Sequence, residues 1–309
     1  MERARNLQDI DLGPKPGRYD FYLTDAFDWL GKREKNSIQA IVTDPPYGLV
    51  EYQPDQLKKM KAGKGGVWRI PPSFDGSKRR PLPRFTVLNL GNRQELQRFF
   101  VRFSQAAFRV LVPGGHVFVA TNPLLSHLVY GPMLEAGFEK RGEIIRLVQT
   151  LRGGDRPKNA HNEFTEVTVM PRSQWEPWGL FRKPCEGRVQ DNLRHWGTGG
   201  LRRVSDLEPF GDVIQSTPTH ARERVIAPHP SLKPQSFMRR IVYASLPLGQ
   251  GVVLDPFAGG GSTLAAARAV GYESIGLEIN PEYFRMADRA IKQLSELEIS
   301  SIHGKRSKR

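Results

Sequence analysis

The sequence predicts an α/β fold: a mainly parallel sheet with helices on both faces, an antiparallel hairpin at one edge and a small inserted module. Three observations carry this. Strand-like and helix-like segments alternate at both ends of the 309-residue chain, the pattern expected where parallel strands are joined by crossover helices. Two strand-like segments end abruptly in an acid followed by a tight corner, at Asp44 and at Asp255. Between them, residues 172–225 lose all periodicity and fill with Trp, Arg, Gly and Pro, which reads as an insertion rather than core.

Taken in order, Tyr19–Leu23 reads as a strand and Ala26–Lys32 as a short helix. The apolar run Ile38–Thr43 is a strand that must stop at Asp44, because Pro45 and Pro46 lack an N–H and have φ locked at about −65°. Residues 51–90 hold Gly-Lys-Gly-Gly and several prolines and are expected to form a mobile loop. Arg93–Leu111 places Leu96, Phe99, Phe100, Phe103, Ala107 and Val110 at helical spacing. That helix ends at Pro113-Gly114-Gly115, and His116–Thr121 is the next strand. Leu124–Glu135 is a helix, and residues 138–149 and 163–171 read as the antiparallel edge pair. After the insertion come a helix at Gln235–Ala244, a strand at Gly251–Asp255, a helix at Ser262–Val270, a strand at Ser274–Ile279 and a helix from Pro281 to Glu296. The core is thus expected as residues 1–171 and 226–298, the module as 172–225, and 299–309 as a disordered basic tail.

A net charge of +14 and a pI near 10.0 point to a polyanionic partner, since clustered Lys and Arg gain affinity by releasing counterions from phosphates. Lys58, Lys59, Lys64, Arg79 and Arg80 crowd the 51–90 loop, and Arg152 and Arg156 flank a Gly-Gly-Asp turn. In the module, Arg182, Arg194, Arg202 and Arg203 are candidates for phosphates or guanine edges. Trp175, Trp178 and Trp196 are expected to pack the module's own core. The single cysteine, Cys185, excludes an internal disulfide and a cysteine-rich zinc cluster. No apolar run reaches the roughly 18 residues of a membrane helix, and the N-terminus lacks the apolar stretch of a signal peptide. The expectation is a cytoplasmic, nucleoid-associated protein.

The stretch from Val252 to Asn280 is a strand ending in Asp255, a glycine-rich turn, a helix opening at Ser262-Thr263 and a strand ending in Glu278. Glycines let a ligand approach the backbone, a helix N-terminus offers free N–H groups, and an acid ending the next strand can hold two ribose hydroxyls. This suits a nucleoside-bearing cofactor. Leu264 stands where a dinucleotide fingerprint needs its third glycine, and the Gly-Lys-Ser/Thr of a P-loop is missing.

Asp-Pro-Pro-Tyr-Gly at Asp44–Gly48 and Asp-Pro-Phe-Ala-Gly-Gly-Gly-Ser-Thr at Asp255–Thr263 together resemble the amino-methyltransferases of DNA. Those enzymes use S-adenosyl-L-methionine to methylate an exocyclic nitrogen of adenine or cytosine. The permuted order, with the catalytic motif first and the cofactor motif last, is similar to the family's β group. His229–Pro234 resembles its further motif before the cofactor strand, and Gly276–Tyr283 its ribose-binding strand end. The resemblance implies a Rossmann-like methyltransferase sheet and a target-recognition role for residues 172–225. It implies catalysis by Asp44, Pro45, Pro46 and Tyr47: the Asp44 carboxylate and the Pro45 carbonyl polarise the target NH₂, and Tyr47 stacks on a flipped base. Asp255, Phe257, Gly259, Gly261, Ser262 and Thr263 would shape the methionine side of the cofactor pocket. Glu278 would hold the ribose and Asp25 the adenine amine, while His229, Ser231 and Lys233 would meet the methionine carboxylate. The methyl donor is already activated, so no metal is called for. Adenine N6 is preferred because cytosine-N4 members more often carry serine where this chain has Asp44. Duplex DNA is the implied partner, with a separate restriction endonuclease and a homodimer as further possibilities. The competing readings are cytosine N4, the same chemistry on RNA or a protein amide, and a catalytically silent nucleic-acid-binding protein.

Overall fold

The computed structural model describes residues 16–46, 90–148, 154, 156–157 and 159–299, and the backbone of 73–74 and 77–78. Tyr47, Lys58, Lys59, Lys64, Arg79, Arg80, Arg152 and the tail from residue 300 lie outside the described residues.

In chain order the elements are β1 (Tyr19–Leu23), α1 (Ala26–Lys32), β2 (Ile38–Thr43), β3 (Ser73–Phe74), β4 (Ser77–Lys78), α2 (Leu90–Val110), β5 (Leu111–Ala120), α3 (Ser126–Glu135) and β6 (Glu139–Leu147). There follow β7 (Trp175–Arg182), α4 (Val189–Trp196), β8 (Val213–Gln215), α5 (Ala221–Ile226), α6 (Gln235–Ser245), β9 (Val252–Asp255), α7 (Ser262–Ala269), β10 (Glu273–Glu278) and α8 (Pro281–Ser295). The main sheet has eight strands in the order β1-β10-β9-β2-β5-β7-β6-β8. Among the described strands of this sheet, β7 alone is reversed, antiparallel to β5 and to β6.

Both faces of the central strands are covered, so these strands are predominantly apolar. On β5, Val117 and Val119 face Leu30, Phe100, Phe103 and Met133 of α1, α2 and α3. Phe118 and Ala120 point the opposite way, to Phe237 and Ile241 of α6 and Ala266 of α7. Each of these side chains is fully buried, and each Val, Leu, Ile, Phe or Met among them contributes roughly 1.5–3 kcal/mol of transfer free energy.

The edge hairpin differs from the sequence expectation. β6 pairs with Trp175–Arg182, whereas residues 163–171 form turns and bends. The alternation of Val167 and Val169 suggests a strand, yet these side chains are 45% and 62% exposed. Burial decides instead: Trp178 is 0% and Leu180 5% exposed on one face, and Phe181 is 0% exposed on the other. β7 therefore lies inside the sheet, and β8 extends it beyond β6.

The segment expected as a separate module at 172–225 is consequently divided. Its first part is β7. Residues 183–203 fold against the amino ends of the strands, where Asn192 Nδ2 donates to Pro113 O at 3.0 Å and Lys183 Nζ donates to Phe108 O and Leu111 O at 2.8 Å. At β8 the chain returns to the carboxyl ends, since Gln215 aligns with Leu147 in parallel register.

Candidate active site

Parallel register brings the chain's acids to one edge. Leu23 aligns with Glu278 and Asp255 with Gly276, while β2 lies beside β9 and runs straight into Asp44. The carboxyl ends of β1, β10, β9 and β2 thus open together, the usual place for a ligand in such sheets.

A cavity of about 380 Å³ occupies this edge, within the range of small-ligand sites. Asp44, Pro45 and Pro46 line it together with Asp25, Gly259, Glu278, Asn280 and Tyr283. Phe257, His229 and Ser231 also line it. One side is aromatic: the Phe99 ring meets Phe27 and Phe257, each with centroids 5.4 Å apart. Phe27, Phe99, Leu277, Ile279 and Tyr283 were not singled out from the sequence. Tyr283 sits inside a quoted motif, but nothing in the helical pattern of α2 distinguishes Phe99 from a core residue.

The glycine turn is built for close approach. Gly261 caps α7 with φ 78°, and a Cβ there would stand 2.6 Å from Ile291 Cγ1. Gly259, at φ 48°, would put a Cβ 3.0 Å from His229 Cε1. Its N–H donates to Glu278 Oε2 at 2.9 Å, and the Asn280 N–H donates to Oε1 at 2.7 Å. Burial raises the Glu278 carboxyl above its ordinary range, with these N–H donors opposing. His229 is pushed down to about 4 by burial and by the Lys233 charge. Its Nδ1 accepts from the Ser231 N–H at 3.2 Å, so the neutral ring carries its proton on Nε2.

Asp255 is 3% exposed and does not line the cavity. Its Oδ1 accepts from Thr43 Oγ1 at 2.7 Å and from the Phe257 N–H at 3.1 Å. Burial, with a smaller push from Asp44, raises its pKa to about 6.

Other sequence-assigned residues meet the cavity to different degrees. Ser262 and Thr263 turn inward, Ser262 Oγ donating to Lys233 O at 3.2 Å and Thr263 Oγ1 to Val42 O at 3.3 Å. Neither they nor Gly261 line the cavity. Asp25 does, but its Oδ1 is committed as the N-cap of α1, accepting from Phe27 and Asp28 N–H groups at 2.7 and 3.1 Å. Lys233 is neither a surface lysine nor part of the cavity wall. Its ammonium meets Asp44 Oδ2 and stands 3.7 Å from Glu176 Oε1.

The described arginines also sort by place. Arg156 is exposed in the loop that leaves the carboxyl end of β6. Arg182 is committed to Glu139 at 2.6 Å and to Gly199 O at 2.8 Å, with its side chain 11% exposed. Arg202 donates to Tyr272 Oη at 2.8 Å and lies 4.4 Å over the Tyr243 ring. Both serve the amino edge of the sheet, because burial of a guanidinium is tolerated only where its donors are met. Arg194 pairs with Asp191 on α4, and Arg203, next to Arg202 in the chain, is exposed; neither is at the edge that holds the cavity. Among the tryptophans, Trp178 is core, while Trp175 is 38% exposed.

Several known proteins are similar to this chain in sequence or in fold. The type II methyltransferase M.HindIII of Haemophilus influenzae is 28% identical over 291 residues, covering 86% of this chain and 93% of its own. The PvuII DNA methyltransferase, described as cytosine-N4-specific, superposes with a TM-score of 0.57 at 13% identity, over 93% of this chain and 89% of its own. The complex of M1.HpyAVI with SAM superposes with a TM-score of 0.54 at 17% identity, over 91% of this chain and 100% of its own. The sequence pattern of the DNA methylases matches residues 38–289, most of the chain's length, and the chain belongs to that family.

Proposed function

We propose that this DNA methylase transfers a methyl group from S-adenosyl-L-methionine to the exocyclic amine of a flipped base in duplex DNA, with adenine N6 as the target. The observation that carries the reading is one cavity shared by the Asp44-Pro45-Pro46 corner and the Glu278–Gly259 turn.

The cavity suits the cofactor on three grounds. Its aromatic wall of Phe27, Phe99 and Phe257 matches a purine face. The Gly259 turn leaves room that a Cβ would fill against His229. The Glu278 carboxylate, held by backbone N–H groups including those of Gly259 and Asn280, retains acceptor capacity for a ribose hydroxyl. Bound there, the cofactor supplies a sulfonium methyl that needs no further activation. Asp255 shapes the turn from below through Thr43 and Phe257 rather than by contact.

At the other end, the amine's lone pair is delocalised into the base and must be drawn out. Acceptors on its two N–H bonds favour a pyramidal nitrogen and stabilise the charge that develops. Asp44 is one acceptor and the Pro45 carbonyl the other, and Pro46 fixes the chain that carries that carbonyl, so little reorganisation accompanies reaction. The aspartate at position 44 favours adenine over cytosine.

Tritium transfer from labelled cofactor to duplex DNA, RNA and protein tests this reading. Label should enter duplex DNA and be recovered as N6-methyladenine, and Asp44→Ala should lower the single-turnover rate by about 10² to 10³. Recovery as N4-methylcytosine would move the target, and label confined to RNA or protein would remove DNA as substrate.

A further inference from the structure

Lys233 lies in a segment built to hold it. Its N–H donates to Ser262 Oγ and its carbonyl accepts from that hydroxyl, both at 3.2 Å. Pro234 follows as the N-cap of α6, so the main chain is stapled to the start of α7. A lysine stem ordinarily lets its ammonium reach water, yet the Lys233 and Asp44 side chains are only 11% and 16% exposed.

The pair is braced from behind. Glu176, 3.7 Å from the ammonium, accepts from Trp178 Nε1 at 2.9 Å and from Arg146 Nη1 at 3.1 Å. Arg146 is 5% exposed and also donates to Ser216 Oγ at 3.0 Å and Thr217 O at 2.9 Å. Charge alternates along Arg146, Glu176, Lys233 and Asp44, so every buried charge faces one of opposite sign, the condition under which such burial is tolerated. The line spans β6, β7, the 229–234 segment and the end of β2.

We propose that Lys233 is a positioning residue for the Asp44 carboxylate, gripping Oδ2 so that the carboxylate's orientation toward the amine is set before the base arrives. Glu176, itself held by Arg146, keeps the ammonium in place. This rests on Asp44 being the acceptor for the target amine, and it gives Lys233 a role distinct from contact with the cofactor.

One arm of the test needs no methyl transfer. At pH 8, Lys233 should resist acetic anhydride in the wild-type protein, and Asp44→Asn should raise its labelling, read by mass spectrometry, about tenfold as the opposing charge is lost. Equal labelling would overturn the pairing. In single-turnover assays, Lys233→Met and Lys233→Gln should each slow transfer about 100-fold while cofactor Kd stays within about twofold of wild type. A weakened Kd with an unchanged transfer rate would place Lys233 on the cofactor and overturn the proposal. Rescue separates charge from fold: K233C in a C185S background, alkylated with 2-bromoethylamine, should regain at least about a tenth of the rate, and alkylation with iodoacetamide should not. Were the wild-type protein to transfer no label to DNA while Asp44→Asn still exposed Lys233, the DNA reading would fall and the pairing would stand.

Discussion

The two ends of the sheet use the same kinds of residue for opposite purposes. At the amino edge, polar side chains are consumed by the fold. Asn192, 1% exposed, donates to Pro113 O and Thr198 O and accepts from the Glu186 N–H. Lys183 caps the carbonyls of Phe108 and Leu111, and Arg182 closes on Glu139 and Gly199. At the carboxyl edge, a strand length of about 15–20 Å away, Asp44, Asp255 and Glu278 converge in a chain whose net charge is +14. There the fold gathers buried acids and raises two of them above their ordinary range. Concentrated, perturbed titratable groups in a cleft mark a working site, and a closed set of mutually satisfied ones marks a joint. Composition cannot tell the two apart; position in the sheet can.

The sharpest contrast is thermodynamic, because the carboxyl edge should cost stability where the amino edge supplies it. Asp255 has its pKa raised to about 6, above the value of roughly 3.9 in an unfolded chain. The folded state therefore holds a proton that the unfolded chain releases between about pH 4 and pH 6, so stability falls as pH rises through that window. Above pH 6 the penalty levels off at about 3 kcal/mol. Asp255→Asn keeps an acceptor for Thr43 and Phe257 but removes the titration. Urea unfolding of both proteins at pH 4, 5, 6 and 7 should show their difference growing in favour of the variant up to pH 6 and then holding constant. Parallel pH curves would mean that Asp255 is not ionised against its burial.

Asn192→Ala should do the reverse at the other edge. It strips Thr198 O of a donor and the Glu186 N–H of its acceptor in a buried joint, at a cost of about 2 kcal/mol. Methyl transfer per folded molecule should not change. A loss of transfer exceeding the loss of folded protein would show the two edges to be coupled.

Sequence reasoning reached the carboxyl edge far better than the amino edge, for physical reasons. Residues that end strands in corners, Asp44-Pro45 and Asp255-Pro256, announce themselves because proline and glycine dictate backbone geometry locally. Parallel topology then brings those corners together without further information. Trp175–Arg182 does not read as a strand from sequence because Pro177 and Gly179 are poor strand formers, and only burial between two neighbouring strands makes the segment one. Arg182 and Arg202 look like DNA contacts in a list of charges, since Glu139 and Tyr272 are 43 and 70 residues away in sequence. The contact of Lys233 with Asp44 is invisible in the sequence for the same reason: the two are 189 residues apart.

The finest test of the comparison uses two exposed arginines, Arg156 on the carboxyl-edge loop and Arg203 on the amino edge. Their formal charge is the same, so a protein that binds DNA by net charge alone would weaken equally on losing either. A protein that docks DNA at the cavity would not, because only phosphates within contact release counterions on binding. Affinity for duplex DNA measured across a salt series should show Arg156→Ala lowering the slope of log K against log salt by about one, and Arg203→Ala leaving it unchanged. The effect on affinity at any single salt concentration is small, but the slope counts contacts rather than energy. Equal slopes for the two variants would place DNA away from the carboxyl edge, and a reduced slope for Arg203→Ala alone would put it on the joint.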